Sequence, residues 1–238
     1  MTRRMTWAGL PNTWDLGGLD GALGTTRHGR VYRSAMLDGL GEAGRSELYD
    51  NGVRTIIDLR NDDEVGRAIE EPFTRHHRPV EDQSNTEFMA RWETLDSPGY
   101  YAEVLERWPE LIVAVFDALA GSGGPRDSRP GALLLHCAHG RDRTGMITSM
   151  LLQLCEVDRT EIVADYLGAV HAIDAHERLA GDASAGGRTV SPAEFEVLNE
   201  RRVRELDEFL DGLDVAGYLV ANGFEADGID RVRARLLA

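Results

Sequence analysis

The chain has 238 residues, of which 42% are hydrophobic and 28% are charged, so it can bury the core of one large domain. Its net charge of −15 disfavours nucleic acid and anionic membrane surfaces as partners. All 26 basic residues are arginine, two cysteines imply no disulfide framework, and no apolar run is long enough for stable membrane insertion. We therefore expect a single domain over residues 1–238 in the cytoplasm, and leave open secretion by a route without a signal peptide.

The N-terminal half alternates predicted strands with predicted helices. After a glycine-rich, turn-like stretch over residues 10–30, the pattern predicts a strand at Val31–Arg33, a helix at Glu42–Asp50, a strand at Thr55–Leu59, a helix from Asp62 to Ile69 that Pro72 ends, and a strand at His77–Val80. A polar loop over residues 81–85 follows. This alternation predicts an α/β fold with a mainly parallel central sheet flanked by helices.

The rest of the chain is predicted to be largely helical. In order, we expect a helix over Tyr100–Leu119 with a boundary or kink at Pro109, a surface loop over Gly121–Gly131, a buried strand at Ala132–Leu135, and an apolar helix over Met146–Leu154. Residues 156–238 form a helical C-terminal part, with helices at Arg159–His176, Pro192 to about Leu210, Val215–Ala221 and Ala226–Leu237, and a small-residue linker over 181–190.

Residues 136–145 read His-Cys-Ala-His-Gly-Arg-Asp-Arg-Thr-Gly and join the predicted buried strand to the apolar helix. A strand, a tight loop and a helix N-terminus together form an anion cradle, because the loop amides and the helix dipole face the ligand. A thiol at Cys137 and a guanidinium at Arg143 add a nucleophile and a bidentate donor. The segment therefore predicts a nucleophilic site that handles phosphate.

Each residue of this loop has a predicted task. Cys137 attacks phosphorus as a thiolate, Arg143 binds two phosphoryl oxygens, Gly140 lets the backbone approach the anion, and Thr144 donates a hydrogen bond to the sulfur. The predicted phosphate-binding residues are Ala138, His139, Gly140, Arg141, Asp142, Arg143 and Thr144. His136, Asp58 and Thr144 are predicted to support them. No cluster has metal-ligand spacing, so neither a metal nor another cofactor is expected.

The loop resembles the signature loop of the cysteine-dependent protein tyrosine phosphatases. It is most similar to the bacterial and mycobacterial tyrosine/phosphoinositide phosphatases, whose loop reads His-Cys-x-x-Gly-Lys-Asp-Arg-Thr-Gly. Further matches to that family lie at Asn12–Gly18, Val31–Ala35, Ile57–Arg60 and Ala164–Leu167. The resemblance implies phosphomonoester hydrolysis through a phosphocysteine intermediate, with inorganic phosphate as a product. It also implies a helical lid, for which residues 84–120 are the candidate.

The resemblance implies phosphotyrosine on a protein as the first-choice substrate. A phosphoinositide or dual-specificity substrate is the alternative, because Arg141 replaces the family's lysine and keeps a second positive charge at the pocket. For the general acid, the bacterial family points to Asp142. Asp82 is a rival, since Pro79–Asp82 resembles the acid loop of dual-specificity phosphatases, and Asp58 is a third candidate.

Two other functions compete with this interpretation. A rhodanese-like sulfurtransferase also uses a loop cysteine, but its loop is usually shorter and lacks the Asp-Arg-Thr trio. A phosphate-reading module without turnover is the non-enzyme alternative, and the intact Cys137, Arg143 and Thr144 argue against it. Cys155 is predicted to be a buried thiol, with a redox partnership to Cys137 as the alternative.

Overall fold

A computed structural model describes residues 2–66, 72–92, 94–121, 131–180 and 191–238, with side chains described only up to residue 178 in the fourth segment. Its six-stranded sheet has the order β1-β2-β3-β6-β4-β5. The strands are β1 (Arg4–Met5), β2 (Thr13–Asp15), β3 (Val31–Ser34), β4 (Val53–Asp58), β5 (Thr74–His77) and β6 (Ala132–His136). The strands β3, β6, β4 and β5 pair in parallel in that order, whereas β1 pairs with β2 and β2 with β3 in antiparallel orientation. The predicted α/β fold with a mainly parallel sheet is confirmed.

Helices occupy much of the remaining described chain. They are α1 (Glu42–Asp50), α2 (Thr86–Arg91), α3 (Tyr101–Arg107), α4 (Pro109–Gly121), α5 (Asp142–Leu154), α6 (Arg159–Ala180), α7 (Pro192–Asp211), α8 (Val215–Ala221) and α9 (Gly228–Leu237). Short 3-10 turns lie at Asp62–Glu64 and Pro98–Tyr100. Within the described segments, no helix combines the length and apolar character needed to cross a bilayer. The predicted helical C-terminal region is thus present.

Alternating side chains of the central strands divide the core in two. Leu133 and Leu135 of β6 face a large apolar cluster that includes α3 to α9, whereas Ala132 and Leu134 face a smaller cluster beside α1. This is the period of two expected for a strand buried on both faces. Helix α5 lies in the larger cluster and is buried over nearly its whole length. Strand β6 and helix α5, which flank the loop over residues 137–141, are therefore both anchored in the core.

The parallel strands bring four loops to one edge of the sheet. Ser34 of β3 pairs with His136 of β6, His136 with Asp58 of β4, and Asp58 with His77 of β5. The segments after these residues begin side by side at the carboxyl ends of the strands, where ligands bind in open α/β sheets. The fold therefore places the segments after Ser34, Asp58 and His77 around residues 137–141.

Two sequence predictions were wrong in detail. A helix was predicted over residues 62–69, but the chain forms a 3-10 turn at Asp62–Glu64 and is extended at Val65. Residues 67–69 lie outside the described part. The strand predicted at His77–Val80 lies earlier, at Thr74–His77, because Pro79 has no N–H to continue the ladder. The loop over 122–130 and the linker over 181–190 also lie outside the described residues.

Candidate active site

The carbonyl groups of the loop after β6 point outward, each toward a donor from another segment. The oxygens of Ala138, His139 and Gly140 accept hydrogen bonds, respectively, from the Met36 amide at 2.9 Å, from Asn12 Nδ2 at 2.9 Å and from Arg33 Nη2 at 2.7 Å. Because N–H and C=O of a peptide unit point in opposite directions, the amides of residues 139–141 point inward. They find no acceptor among the described residues. The loop is therefore an open cradle of N–H donors.

Gly140 is required by the conformation and the packing of this loop. Its φ is +67°, in the left-handed region that favours glycine. A Cβ atom at this position would lie 2.4 Å from the backbone oxygen of Ser34. The loop thus packs directly on the end of β3, and no larger residue fits without moving one of the two backbones.

A buried ion pair between Arg33 and Asp165 supports the loop after Cys137. Arg33 is fully buried, and its Nη1 donates to Asp165 Oδ2 at 2.6 Å while its Nη2 holds the Gly140 carbonyl. Arg3 also binds the Asp165 carboxylate. Both Arg33 and Asp165 belong to segments that carried the family resemblance. Their motifs could therefore be recognised in the sequence, but their contact could not.

Cys137 lies at the end of the central strand and at the floor of the cradle. Its residue is only 2% exposed. Thr144, in the first turn of α5, has a buried hydroxyl that makes no hydrogen bond to any described residue, the Cys137 sulfur included, so the predicted bond to the sulfur is not formed in this structure. The first amides of α5 have no intrahelical acceptor and add to the positive end of the helix dipole. These amides favour a negatively charged group at the start of the helix, such as a phosphate.

Arg143 is held in place by two glutamates that the sequence patterns did not single out. Its two Nη atoms form a bidentate pair with the carboxylate of Glu64, and its Nε lies 3.7 Å from Glu81 Oε1. Burial opposes the charge of Glu64, but the hydrogen bonds and charge of Arg143 outweigh it and lower the pKa of this carboxyl. The Arg143 guanidinium is thus oriented by contacts within the protein.

Glu81 and Asp82 are neighbours in sequence but lie in different environments. Glu81 is 1% exposed and accepts a hydrogen bond from Gln83 Nε2 at 2.6 Å. Burial raises its pKa, although the charge of Arg143 opposes the effect. Asp82 is exposed, and its Oδ1 accepts hydrogen bonds from the amide and hydroxyl of Ser84. Of this pair, the structure brings Glu81, rather than the predicted Asp82, into contact with Arg143.

Asp142 and Arg141 contact each other at the start of α5. Arg141 Nε lies 3.2 Å and 3.0 Å from the two carboxylate oxygens of Asp142, and the Tyr101 hydroxyl donates to the Asp142 carbonyl at 2.8 Å. Arg141 Nη1 and Nη2 donate to no residue within the described segments. The predicted second positive charge is therefore present at the loop with free donors.

Asp58 and His136 form a buried polar layer behind the loop. Burial opposes the charge of Asp58, but hydrogen bonds from Arg60 and Arg75 hold the pKa of its carboxyl well below the usual range. Burial lowers the pKa of His136 to about 4, although its Nε2 lies 3.6 Å from Asp58 Oδ2. His136 is therefore neutral at physiological pH. Both residues lie at the ends of their strands, and the Asp58 carboxylate is bonded to Arg60 and Arg75; their predicted role in supporting the phosphate-binding residues stays a prediction.

Two predicted residues, His139 and Cys155, remain to be placed. His139 is half-buried at the rim, with Nε2 3.8 Å from Glu177 Oε1. Cys155 is buried, and burial raises the pKa of its thiol to about 12. The 13-residue helix α5 separates it from Cys137 by about 20 Å, far beyond disulfide reach. In the described segments, no three His, Cys, Asp or Glu side chains form a metal-binding group. The expectation of a metal-free reaction stays a prediction.

Sequence comparison with known proteins identifies the family. The family model described as "Tyrosine phosphatase family" matches residues 5–238, which is nearly the entire chain. The chain belongs to the tyrosine phosphatase family. The phosphatase is 30% identical over 228 residues to a putative tyrosine-protein phosphatase of Cupriavidus necator, an alignment that covers 93% of this chain and 82% of the relative.

Two other relatives carry related names. The phosphatase is 28% identical over 185 residues to the triple specificity protein phosphatase PtpB of Mycobacterium tuberculosis, which covers 66% of this chain and 67% of the relative. It is 32% identical over 174 residues to a tyrosine-protein phosphatase of Nostoc commune, which covers 66% of this chain and 56% of the relative. Phosphatase activity on a phosphorylated substrate, and the predicted family, are thereby confirmed.

Proposed function

We propose that this phosphatase hydrolyses phosphomonoesters through a covalent phosphocysteine on Cys137, without a metal, and that phosphotyrosine in proteins is its principal substrate. The observation that carries the proposal is the orientation of the loop after Cys137, whose carbonyls accept hydrogen bonds from other segments, so that its amides point to the inside of the loop. Such preorganised donors stabilise the charge that develops on the transferring phosphoryl group. No reorganisation of the loop is then required during the reaction.

The roles of the other residues follow from their positions. Arg143 and the loop amides bind the equatorial oxygens and hold phosphorus in line with the sulfur. The Thr144 hydroxyl, which has no partner among the described residues, turns toward the sulfur during turnover and makes it a better leaving group when water attacks the intermediate. A carboxylic acid must protonate the leaving oxygen of a phosphotyrosine, because a tyrosyl anion leaves poorly. Asp142 and Asp82 are the candidates that the sequence supplies for this step.

The burial of Cys137 supports tyrosine over serine or threonine. A thiol that is 2% exposed is reached most easily by a phosphate carried on a long, flat side chain. The free cysteines Cys137 and Cys155 support a reducing compartment such as the cytoplasm.

A phosphoinositide is a second candidate substrate, and one observation favours it. The free Nη donors of Arg141 stand beside the loop and can bind a second phosphate. PtpB of Mycobacterium tuberculosis, a relative of this chain, is named a triple specificity phosphatase.

Substrate trapping tests the proposal. Cys137→Ser protein, in chelator, is incubated with phosphotyrosine peptides and with phosphoinositide vesicles, and retention of each is measured. We expect retention of the peptides and no turnover of either ligand. Turnover by Cys137→Ser at the wild-type rate contradicts the phosphocysteine mechanism. Preferential retention of the vesicles, lost on Arg141→Ala, replaces phosphotyrosine by the phosphoinositide alternative. Binding by wild-type protein without hydrolysis identifies a phosphate-reading module.

A further inference from the structure

Three buried polar atoms of residues next to Arg143, in sequence or in space, lack a hydrogen-bond partner among the described residues: Oε2 of Glu81, the hydroxyl of Tyr100 and Oγ1 of Thr144. The charges of Glu81, Asp142, Arg143 and Cys137 all act on the pKa of the Tyr100 hydroxyl, which burial raises well above the ordinary value. Buried polar atoms in folded proteins are nearly always bonded, so an unpaired oxygen such as Glu81 Oε2 is a group that a substrate can satisfy.

Building on the phosphocysteine mechanism proposed above, we infer that Glu81 is the catalytic acid that protonates the leaving oxygen. In the first step the Cys137 thiolate forms the S–P bond, the bond from phosphorus to the leaving oxygen breaks, and the proton on Glu81 moves to that oxygen. In the second step the Glu81 carboxylate takes a proton from the attacking water. The S–P bond then breaks, phosphate leaves, and the thiolate and the protonated acid are restored.

Contacts distinguish Glu81 from Asp142 and Asp82; the third aspartate that the sequence suggests, Asp58, is already bonded to Arg60 and Arg75. The carboxylate of Asp142 is engaged by Arg141 Nε, and that of Asp82 is exposed and bonded to Ser84. Glu81 instead has one oxygen bonded to Gln83 and one oxygen free within the buried site. It is the carboxyl group of the three that is shielded from water and has an oxygen left for a substrate.

Burial and nearby charges both act on Glu81. The charges come from Arg143 and Asp142 on α5 and from Glu64 on the 3-10 turn, and the neutral phenol of Tyr100 lies in the same buried site. Burial is the largest influence and raises the pKa of Glu81; Arg143 and Gln83 oppose it, and Asp142 and Glu64 add to it. Once the proton has left, Arg143 Nε at 3.7 Å stabilises the carboxylate.

The leaving group provides the test. A dinitrophenyl ester needs no proton to leave, whereas a phosphotyrosine peptide does. We expect Glu81→Gln to lower kcat/KM for the peptide by about 100-fold or more, and for dinitrophenyl phosphate by less than about tenfold. The fall in peptide activity at alkaline pH, which reports loss of the acid's proton, should disappear in this variant. Asp82→Asn and Asp142→Asn should keep that fall.

Controls separate proton donation from a structural role. Glu106→Gln makes the same chemical change at an exposed position of α3 and should match wild type. Inhibition by inorganic phosphate reports whether Arg143 remains in place. An equal loss on both esters with weaker phosphate inhibition would make Glu81 a positioning residue for Arg143 and overturn the proposal. An unchanged peptide rate would overturn it as well.

Two further results keep the outcome decisive. If Glu81→Gln does not fold, Glu81→Asp keeps an acid on a shorter stem; it should be slower on the peptide and retain the alkaline fall, and loss of that fall overturns the proposal. Wild-type protein that hydrolyses neither ester, or Cys137→Ser protein that hydrolyses both, contradicts the phosphocysteine mechanism rather than the assignment of Glu81.

Discussion

Replacing Gly140 with alanine tests whether the loop backbone binds the transition state. The new Cβ would lie 2.4 Å from Ser34 O, 2.5 Å from Ser34 C and 2.7 Å from Ala35 N. All three are backbone atoms at the end of β3, which is held in the sheet between β2 and β6. The loop must therefore move rather than the strand.

The size of the effect follows from these distances. Ordinary van der Waals contact requires a displacement of about 1 Å, and a misplacement of about 1 Å in an active site costs roughly 100-fold in rate. A non-glycine residue in the left-handed region costs roughly 1–2 kcal/mol, and overpacking adds roughly 1–3 kcal/mol. We expect Gly140→Ala to lose about 100-fold in kcat/KM and about 2–5 kcal/mol in unfolding free energy.

Gly52→Ala is the matched control. Gly52 has φ +82° in the turn after α1, but nothing lies within 4 Å of an added Cβ. This variant should lose roughly 1–2 kcal/mol by urea unfolding and keep wild-type kcat/KM on an aryl phosphate. If Gly140→Ala stays within about threefold of wild-type activity, the loop amides are not the groups that stabilise the transition state.

Three further predictions concern the groups around the loop. Asp165→Asn should cost about 3 kcal/mol or more in urea unfolding, because it leaves the fully buried Arg33 without its counter-charge; a cost below about 1 kcal/mol would contradict this. Burial lowers the His136 pKa to about 4, so between about pH 6.5 and pH 4 only the unfolded chain takes up a proton at this histidine. The unfolding free energy of the wild type should therefore fall by roughly 3 kcal/mol over this range relative to that of His136→Asn. Parallel pH profiles of the two proteins would refute this prediction. Cys155→Ser should leave peroxide inactivation and thiol reactivation of Cys137 unchanged, since α5 keeps the thiols apart; lost reactivation would indicate a disulfide.

Local patterns predicted much of the fold. The helix at Glu42–Asp50 was predicted at its observed bounds, because polar and apolar residues alternate with helical spacing and Asn51-Gly52 ends it. The buried strand before Cys137 and the apolar helix after it were equally visible. The edge strand β1 and its neighbour β2 were missed, because segments of two and three residues carry no detectable period.

The candidate site likewise contains residues that the sequence predicted and residues that it did not. Cys137 and the rest of its loop are contiguous in sequence, so residue types and spacing were enough to predict them. Glu64 meets Arg143 across 79 positions of sequence, and its carboxylate looked like part of an ordinary acidic helix. Glu81 was passed over for Asp82 because a sequence does not show which of two adjacent acids turns inward. Burial and contact, which only the folded chain has, decide such cases.

The most direct test of the mechanism is to trap the intermediate. Wild-type protein turning over an aryl phosphate in the presence of chelator is quenched rapidly in denaturing detergent, and its peptides are examined for a phosphoryl group. We expect the phosphoryl group on the peptide that contains Cys137, and none in Cys137→Ser protein. Steady hydrolysis with no label on Cys137, or with the label on another residue, would contradict the phosphocysteine mechanism.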